Sequence, residues 1–166
     1  MGNVTKFASA TRTIKRQVCG GGFTLVELLV TVAIAAVLMG AAIPSFGTFV
    51  AAQRIKTASF DLTSTLIYAR SEALKRNANV TLSSATGGWQ NGWSLNAGST
   101  AISQHEPMVG MAVTGPVGTV VYRADGRLST FGNTFLISSS ANSSVTPRCI
   151  SVALSGIPVT KAGSCS

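Results

Sequence analysis

Ionisable side chains are scarce in this sequence, and acidic ones are scarcest. Among 166 residues there are 5 aspartates and glutamates, a single histidine and 13 lysines and arginines. The histidine, His105, stands beside Glu106 in a polar stretch predicted to be a loop, and no second metal ligand accompanies it. Serine is too common here for a Ser-His-Asp triad with Asp125 to carry weight. We therefore predict no catalytic residue, no metal site and no cofactor, and the protein is not expected to be an enzyme.

Charge is almost absent from one long segment. The run from Phe23 to Ile43 reads FTLVELLVTVAIAAVLMGAAI, and Glu27 is its only ionisable residue. A run of about 18 or more apolar residues is typical of a membrane-spanning helix, which we predict over residues 23–45. Residues 1–22 supply four of the net +8 charges and contain no acid. A basic stretch before an apolar run holds an N-terminus in the cytoplasm. The remaining sequence is rich in Ser, Thr, Gly and Asn, so the organisation is leader, membrane helix and globular head.

Cysteine is also sparse, with three in the whole chain. Cys19 lies in the leader, whereas Cys149 and Cys165 lie near the C-terminus and lack the close spacing of a zinc motif. If the leader is removed, the last two remain on the exported side, where disulfides persist. A bridge between them would close a loop of about 15 residues, worth roughly 3 kcal/mol. We predict this disulfide; the alternative is two free buried thiols.

The small residues Gly20, Gly21 and Gly22 precede the apolar run, whereas a secretory signal has its cleavage site after the run. Cutting at the glycines would remove the basic residues and keep the hydrophobic helix. The stretch GFTLVELL, residues 22–29, resembles the class III signal sequence of type IV pilins and type II secretion pseudopilins. The resemblance implies cleavage between Gly22 and Phe23 by a prepilin peptidase on the cytoplasmic side. It also implies N-methylation of Phe23.

Two further residues of this segment are candidates for a role in assembly. A carboxylate near the start of a membrane helix costs a few kcal/mol, so Glu27 is a functional candidate; the alternative is a carboxylate at headgroup level. The resemblance implies that Glu27 pairs with the N-terminal amine of an adjacent subunit. Pro44 removes a backbone donor and kinks a helix. The resemblance implies that the helix bends or melts near Pro44, and the alternative is that the membrane helix ends there.

Residues 46–77 keep a helical period but become amphipathic. One face carries the apolar residues Ile55, Leu62, Leu66, Ala69 and Ala73. A row at spacings of seven, Phe60, Ile67 and Leu74, is predicted to widen this buried stripe. Charged residues are assigned to the solvent side: Arg54, Lys56, Asp61, Arg70, Glu72, Lys75 and Arg76. Glu72 and Arg76 form an i,i+4 pair, and Asn77 is the predicted helix end.

The segment YARSEALKRN, residues 68–77, resembles the A-R-S-E-A-x-x-R/K segment of the FimT/FimU minor pilins and the GspH minor pseudopilins. The W-x-x-G-W pattern from Trp89 to Trp93 and the D-G-R turn at residues 125–127 are similar to that family as well. Short strands are predicted over residues 80–82, 88–95, 111–114, 119–123, 135–138 and 150–154. The chain is thus identified as a member of this pilin and pseudopilin family.

The expected fold is α+β and pilin-like, with a long N-terminal helix packed on an antiparallel β-rich head. We divide the chain into a cleaved leader (1–22), a transmembrane and assembly helix (23–45), an amphipathic second half (46–77) and a periplasmic head with a C-terminal disulfide loop (78–166). The resemblance implies a structural minor pilin that is anchored by a single pass in the inner membrane. It would then join other subunits near the tip of a type IV pilus. The alternative is a GspH-like minor pseudopilin for type II secretion.

Binding of DNA is a third and less favoured hypothesis. Some relatives of this type bind DNA through a basic G-R-x-R stretch, but here the matching positions hold Ile157 and Val159 after Gly156. Phosphate contacts come from Lys and Arg, so the loss of two arginines weakens the hypothesis. The residues left for a modest patch are Arg123, Arg127, Arg148 and Lys161, aided by Trp89 or Trp93 if these are exposed rather than packed in a core.

Overall fold

One long helix and eight β-strands make up the part of the chain that is described. A computed structural model describes residues 22–131 and 133–165, and the side chains of residues 41–45 lie outside that description. Helix α1 spans Leu25–Arg76. The strands are β1 (Val80–Ser84), β2 (Trp93–Ala97), β3 (Thr100–His105), β4 (Met111–Thr114), β5 (Thr119–Tyr122), β6 (Asn133–Ser139), β7 (Arg148–Val152) and β8 (Pro158–Ala162). The predicted α+β fold is confirmed.

Helix α1 contains the boundary between two structural units, which lies between Gly40 and Ala41. Within residues 22–131 and 133–165, no helix combines the length and the hydropathy that crossing a membrane requires. The helix ends where it was predicted to end, because Asn77 adopts a left-handed conformation with φ 49°. The backbone N–H of Ala78 then donates to the carbonyl of Ala73, which satisfies one of the last free carbonyls of the helix.

The strands form two antiparallel sheets of four strands each. The first sheet has the order β3-β2-β1-β5 and the second has the order β4-β6-β7-β8. In the first sheet Leu82 lies opposite both Leu95 and Val120. In the second sheet Ile150 lies opposite Phe135 and Thr160. These registers turn apolar residues from several strands toward one face of each sheet.

The core lies where these faces meet the second half of α1. The predicted helix stripe is confirmed, because Leu62, Leu66 and Ala69 are fully buried. Trp93 is among the largest fully buried side chains. Trp89 is buried too and meets Phe135 of β6 edge-on, with 4.9 Å between the ring centroids. Both tryptophans are therefore core residues.

The row at spacings of seven was predicted to widen the stripe, and this prediction was wrong. Phe60, Ile67 and Leu74 are exposed, with 72%, 55% and 50% of their surfaces accessible. Each helical residue turns about 100°, so this row lies about 130° from the centre of the buried face, beyond its edge. The assignment of Glu72 to the solvent side was also wrong, since this residue is buried.

Two strands were missed, and one segment was assigned to the wrong element. Strand β3 ends at His105, which was placed in a loop, and β8 was not predicted. Both are edge strands of their sheets, and neither contains a fully buried residue, so their apolar pattern is weak. The predicted strand over residues 88–95 is a turn of 3-10 helix at Trp89–Asn91 followed by β2.

The C-terminus is held by the predicted disulfide between Cys149 and Cys165, whose Cα atoms are 5.2 Å apart. Cys149 belongs to β7 and is buried, so the bridge ties the last residues to an interior strand. The Sγ atom of Cys165 also lies 3.5 Å from the carbonyl oxygen of Phe135 in β6.

Candidate functional site

The candidate processing site lies directly before α1. Gly22, Phe23 and Thr24 are not helical, and 80% of the Phe23 surface is accessible. The peptide bond between Gly22 and Phe23 is therefore in a non-helical, exposed segment. A protease needs such a segment, because it must bind the backbone on both sides of the bond that it cuts. Residues 1–21 of the predicted leader lie outside the described residues.

Thr24 caps the helix and fixes the position of Glu27. The Thr24 hydroxyl oxygen accepts a hydrogen bond from the backbone N–H of Glu27 at 3.2 Å. The sequence T-x-x-E has the spacing of a capping box, a signal that the sequence interpretation did not use. Glu27 thus stands in the first turn, where the helix dipole favours a negative charge.

Glu27 is exposed, and among the described residues no ion pair to its carboxylate is found. Its capping position is compatible with a second role, because the carboxylate oxygens remain accessible to a cation from elsewhere.

Helical residues 25–39 expose apolar side chains around the whole circumference. Leu28, Leu29 and Val30 are consecutive, each turned about 100° from the one before, and all three are exposed. The larger set of exposed apolar residues in this stretch is Leu25, Val26, Leu28, Leu29, Val30, Val32, Ile34, Val37, Leu38 and Met39. A helix that is apolar on every side is typical of a segment that is buried in a core or a membrane.

Helix α1 continues past Pro44, the second predicted assembly residue. The side chain of Pro44 lies outside the described residues, so its predicted role in bending the helix stays a prediction.

The D-G-R turn packs closely against the loop after β7, beside the second half of α1. The Tyr122 hydroxyl donates to the carbonyl of Gly156 at 3.3 Å, and the Arg70 guanidinium donates to the carbonyl of Gly126 at 3.1 Å. Burial raises the pKa of Tyr122 far above its ordinary value, and the nearby Arg70 charge opposes this rise. A Cβ atom at Gly156, whose φ is 78°, would clash with the Gly126 carbonyl oxygen, so only glycine fits.

The end of α1 carries a cluster of charges around Glu72. The Arg76 Nε atom donates to Glu72 Oε2 at 2.6 Å, and Lys75 Nζ lies 3.4 Å from Glu72 Oε1. The hydrogen bond from Arg76 holds the pKa of the Glu72 carboxyl below its ordinary value. The predicted i,i+4 pair therefore exists, and its acidic member is the one shielded from solvent.

The four basic residues of the weak DNA hypothesis lie in two separate places. Arg123 and Arg127 belong to one turn, where the Arg123 N–H donates to the Arg127 carbonyl at 2.8 Å. Arg148 starts β7, and Lys161 lies opposite Cys149 in the register of β7 and β8. The segment after this turn bonds beyond the end of β7 that is opposite Arg148, where the Leu128 N–H donates to the Leu154 carbonyl. The two pairs therefore lie toward opposite ends of β7, a strand of five residues and about 13 Å. The tryptophans that were to assist this patch are buried.

A cluster around His105 was not anticipated from the sequence. The imidazole stacks on Trp93 at 4.1 Å between ring centroids, and its Nε2 atom lies 3.7 Å from Asp61 Oδ2 of α1. Its Nδ1 atom is 2.8 Å from the Glu106 carbonyl oxygen, so Nδ1 carries a proton and donates. The cluster fastens edge strand β3 to the helix.

Residues 58–156 match the family described as "Type II transport protein GspH". Residues 21–43 match the family described as "Prokaryotic N-terminal methylation motif". No match to a curated protein was found.

Among solved structures, the chain resembles the type IV minor pilin FimU of Pseudomonas aeruginosa strain PAO1 in two crystal forms. The first has a TM-score of 0.58 and 21% identity, over 65% of this chain and 91% of that chain. The second has a TM-score of 0.56 and 22% identity, over 64% of this chain and 95% of that chain. This likeness supports the fold.

Proposed function

The chain belongs to the GspH family of type II transport proteins, and on this basis we propose that it is a structural minor pilin that helps to initiate or cap a type IV pilus. It acts by assembling with other subunits and not by catalysis. The observation that carries this proposal is the helix that begins directly after the Gly22-Phe23-Thr24 segment and exposes apolar side chains on every side.

The proposed sequence of events starts in the inner membrane, with a single pass over residues 23–45 and the head in the periplasm. Prepilin peptidase cuts between Gly22 and Phe23 and methylates the new amine of Phe23. Removal of the basic leader leaves an apolar helix that packs against the helices of other subunits. That packing replaces contacts with lipid by contacts with protein, so the subunit can leave the bilayer without exposing apolar surface to water.

Glu27 is proposed to guide this transfer. A carboxylate in an apolar environment is stabilised by a nearby positive charge, and cleavage creates one at the amine of Phe23. Glu27 is four residues after Phe23, and the cap at Thr24 fixes the backbone of this first turn. Pairing of Glu27 with the Phe23 amine of a neighbouring subunit would therefore set the stagger between the two subunits. Pro44 is proposed to let the helix bend once it is inside the fibre.

The alternative is a minor pseudopilin of a type II secretion system, which the match to GspH also fits. The two machines share the leader, the helix and the head, so a physiological experiment must separate them. Deletion of the gene should remove surface pili and leave secretion of exported enzymes intact if the chain is a pilin. Loss of secretion with normal pili would reverse the assignment.

Binding of DNA for uptake is the least supported function. The two pairs of basic residues lie toward opposite ends of β7, a strand of about 13 Å, and apolar residues occupy the arginine positions of the G-R-x-R stretch. Two separated pairs support the function less than one continuous patch would, because affinity for DNA grows with the number of phosphates contacted together.

Processing is tested by the intact mass and N-terminal sequence of the membrane-extracted protein, in cells with and without prepilin peptidase. We expect a chain that begins at methylated Phe23 only when the peptidase is present. A matched variant, Glu27→Gln, should be cut normally but should be lost from sheared pili by at least about tenfold, because the amine of the neighbour then lacks its charged partner. An uncut chain in both strains would contradict the proposal, because an ordinary anchored domain keeps its leader.

A further inference from the structure

The exposed row on α1 continues onto the neighbouring loop and forms one surface. Phe60, Ile67 and Leu74 are seven residues apart, so they lie on one line of the helix about 21 Å long. Ile157, just before β8, is exposed and lines a cleft of about 220 Å³ together with Ile67 and Leu74. We call these four residues the lateral apolar surface.

Strand β8 lies directly against this part of the helix, so the surface has a fixed shape. The hydroxyl oxygens of Thr63 and Thr160 are 3.0 Å apart and join α1 to β8. Ile157 is held by its neighbour Gly156, whose carbonyl accepts from Tyr122. The surface is therefore built on a helix and a pinned loop, and a partner meets it with little ordering of the chain.

The charges around the surface are of one sign. Arg70 lines the cleft beside Ile67, and Lys56 and Arg148 line a second cleft of about 410 Å³ beside Phe60. Of the described residues, none that lines either cleft is acidic. The nearest acids in sequence are paired with other residues, since Asp61 Oδ2 lies 3.7 Å from His105 Nε2 and Glu72 accepts a hydrogen bond from Arg76.

We propose that the lateral apolar surface docks an apolar helical face of a different protein, flanked by carboxylates. Four apolar side chains that keep half or more of their surface in water offer apolar area for a partner to bury, and a seven-residue spacing fits the seam of a second helix. The cationic rim selects a partner with acidic flanks. A second copy of this chain is disfavoured, because a symmetric contact would bring the cations of one rim against those of the other.

This inference concerns the second half of α1 and the loop before β8, and not the apolar residues 25–39 that carry the proposed assembly contacts, so it goes beyond the proposed function and holds for a pilus or a secretion machine alike. It also differs in its consequence. Loss of the N-terminal assembly contacts removes the subunit from every fibre, whereas loss of the lateral apolar surface removes one specific neighbour.

The test uses full-length chain in amphipol and two labelled helical peptides, with protein-free amphipol as the blank. Both peptides carry leucine at every seventh position, and their flanking positions are all glutamate in one and all lysine in the other. We expect the glutamate peptide to bind at least about tenfold more tightly by fluorescence anisotropy. Ile67→Ser and Phe60→Ser should each weaken its binding severalfold, and Lys56→Glu should remove the preference for glutamate.

Val117→Ser is the matched control, because Val117 is fully exposed and distant in sequence from the surface. It should bind the glutamate peptide as the unaltered chain does. The proposal would be overturned if the two peptides bound equally, or if neither Ile67→Ser nor Phe60→Ser weakened binding. If the unaltered chain forms a dimer and Ile67→Ser does not, the partner is a second copy of this chain and the proposal is overturned. Tighter binding of duplex DNA than of the glutamate peptide, sensitive to Lys56→Glu and insensitive to Ile67→Ser, would overturn it in favour of nucleic acid.

Discussion

The two stretches of helix α1 contain similar apolar side chains in opposite environments. Leu28 and Leu29 are each 60% exposed, whereas Leu62 and Leu66 are fully buried. Residues 25–39 are apolar on every side, so no single face can be matched to a sheet. Residues 55–73 place their buried apolar residues on one face, which the two sheets of the head cover. Apolar content alone does not decide burial; the period of the pattern decides which residues the chain can cover by itself.

The same substitution in the two stretches should give the largest difference. Leu66→Ala removes a fully buried side chain and should lower the free energy of unfolding by roughly 2–5 kcal/mol. Leu29→Ala should change it by less than about 0.5 kcal/mol, because this residue contributes nothing to the head core. Denaturant unfolding of the full-length protein, followed by the fluorescence of buried Trp89 and Trp93, measures both.

Ile67→Ala sharpens this comparison, because Ile67 is the next residue after Leu66 and is exposed. It should behave like Leu29→Ala, within about 0.5 kcal/mol of the unaltered chain. The same unfolding experiment measures it. A loss as large as that of Leu66→Ala would return Ile67 to the core and remove it from the lateral apolar surface.

The disulfide stabilises the head and not the first stretch of the helix. Reduction of the bridge between Cys149 and Cys165, or the variant Cys165→Ser, should lower the free energy of head unfolding by about 3 kcal/mol. The midpoint of denaturant unfolding with and without reductant measures this loss. Cys165→Ser should not respond to reductant, and an unaltered chain equally indifferent to reductant would show that the bridge is not formed in solution.

Sequence reasoning succeeded where one strong period controls burial. The helix stripe was predicted because Leu62, Leu66 and Ala69 repeat at three and four residues and face one core. It failed for the row that includes Phe60 and Ile67, because residue type alone does not show how wide a stripe the sheets cover. A spacing of seven is compatible with the edge of a core and with an exposed seam.

The strands show the same limit. Edge strands β4 and β5 were located because each buries at least one apolar residue, whereas edge strands β3 and β8 bury none fully and were missed. Strand β8 begins with Pro158, which cannot donate a ladder hydrogen bond and is tolerated at the start of an edge strand. The cluster of His105 with Asp61 and Trp93 was also beyond prediction, because it joins three elements whose pairing the sequence does not state.

The last expected effect depends on pH and concerns Glu72, a buried carboxyl at the end of the second stretch. Its pKa is lower in the folded protein because Arg76 donates to it. A carboxyl whose pKa is lowered in the folded state stabilises the fold at pH values above its ordinary pKa of 4.5. This stabilisation is lost as the pH falls through the lowered pKa. The head should therefore lose part of its stability in acid through this one pair.

Glu72→Gln and Arg76→Gln should each flatten the acid side of the stability profile, because each removes one partner of the pair. Denaturant midpoints measured from neutral pH to below the lowered pKa of the folded Glu72 carboxyl give this profile. Lys75→Gln should flatten it less, since the Lys75 ammonium is farther from Glu72, at 3.4 Å, and more exposed than the Arg76 guanidinium. If all three variants keep the full acid loss of the unaltered chain, other carboxyl groups control the stability of the head in acid, and the Glu72 pair is only a local feature of the helix end.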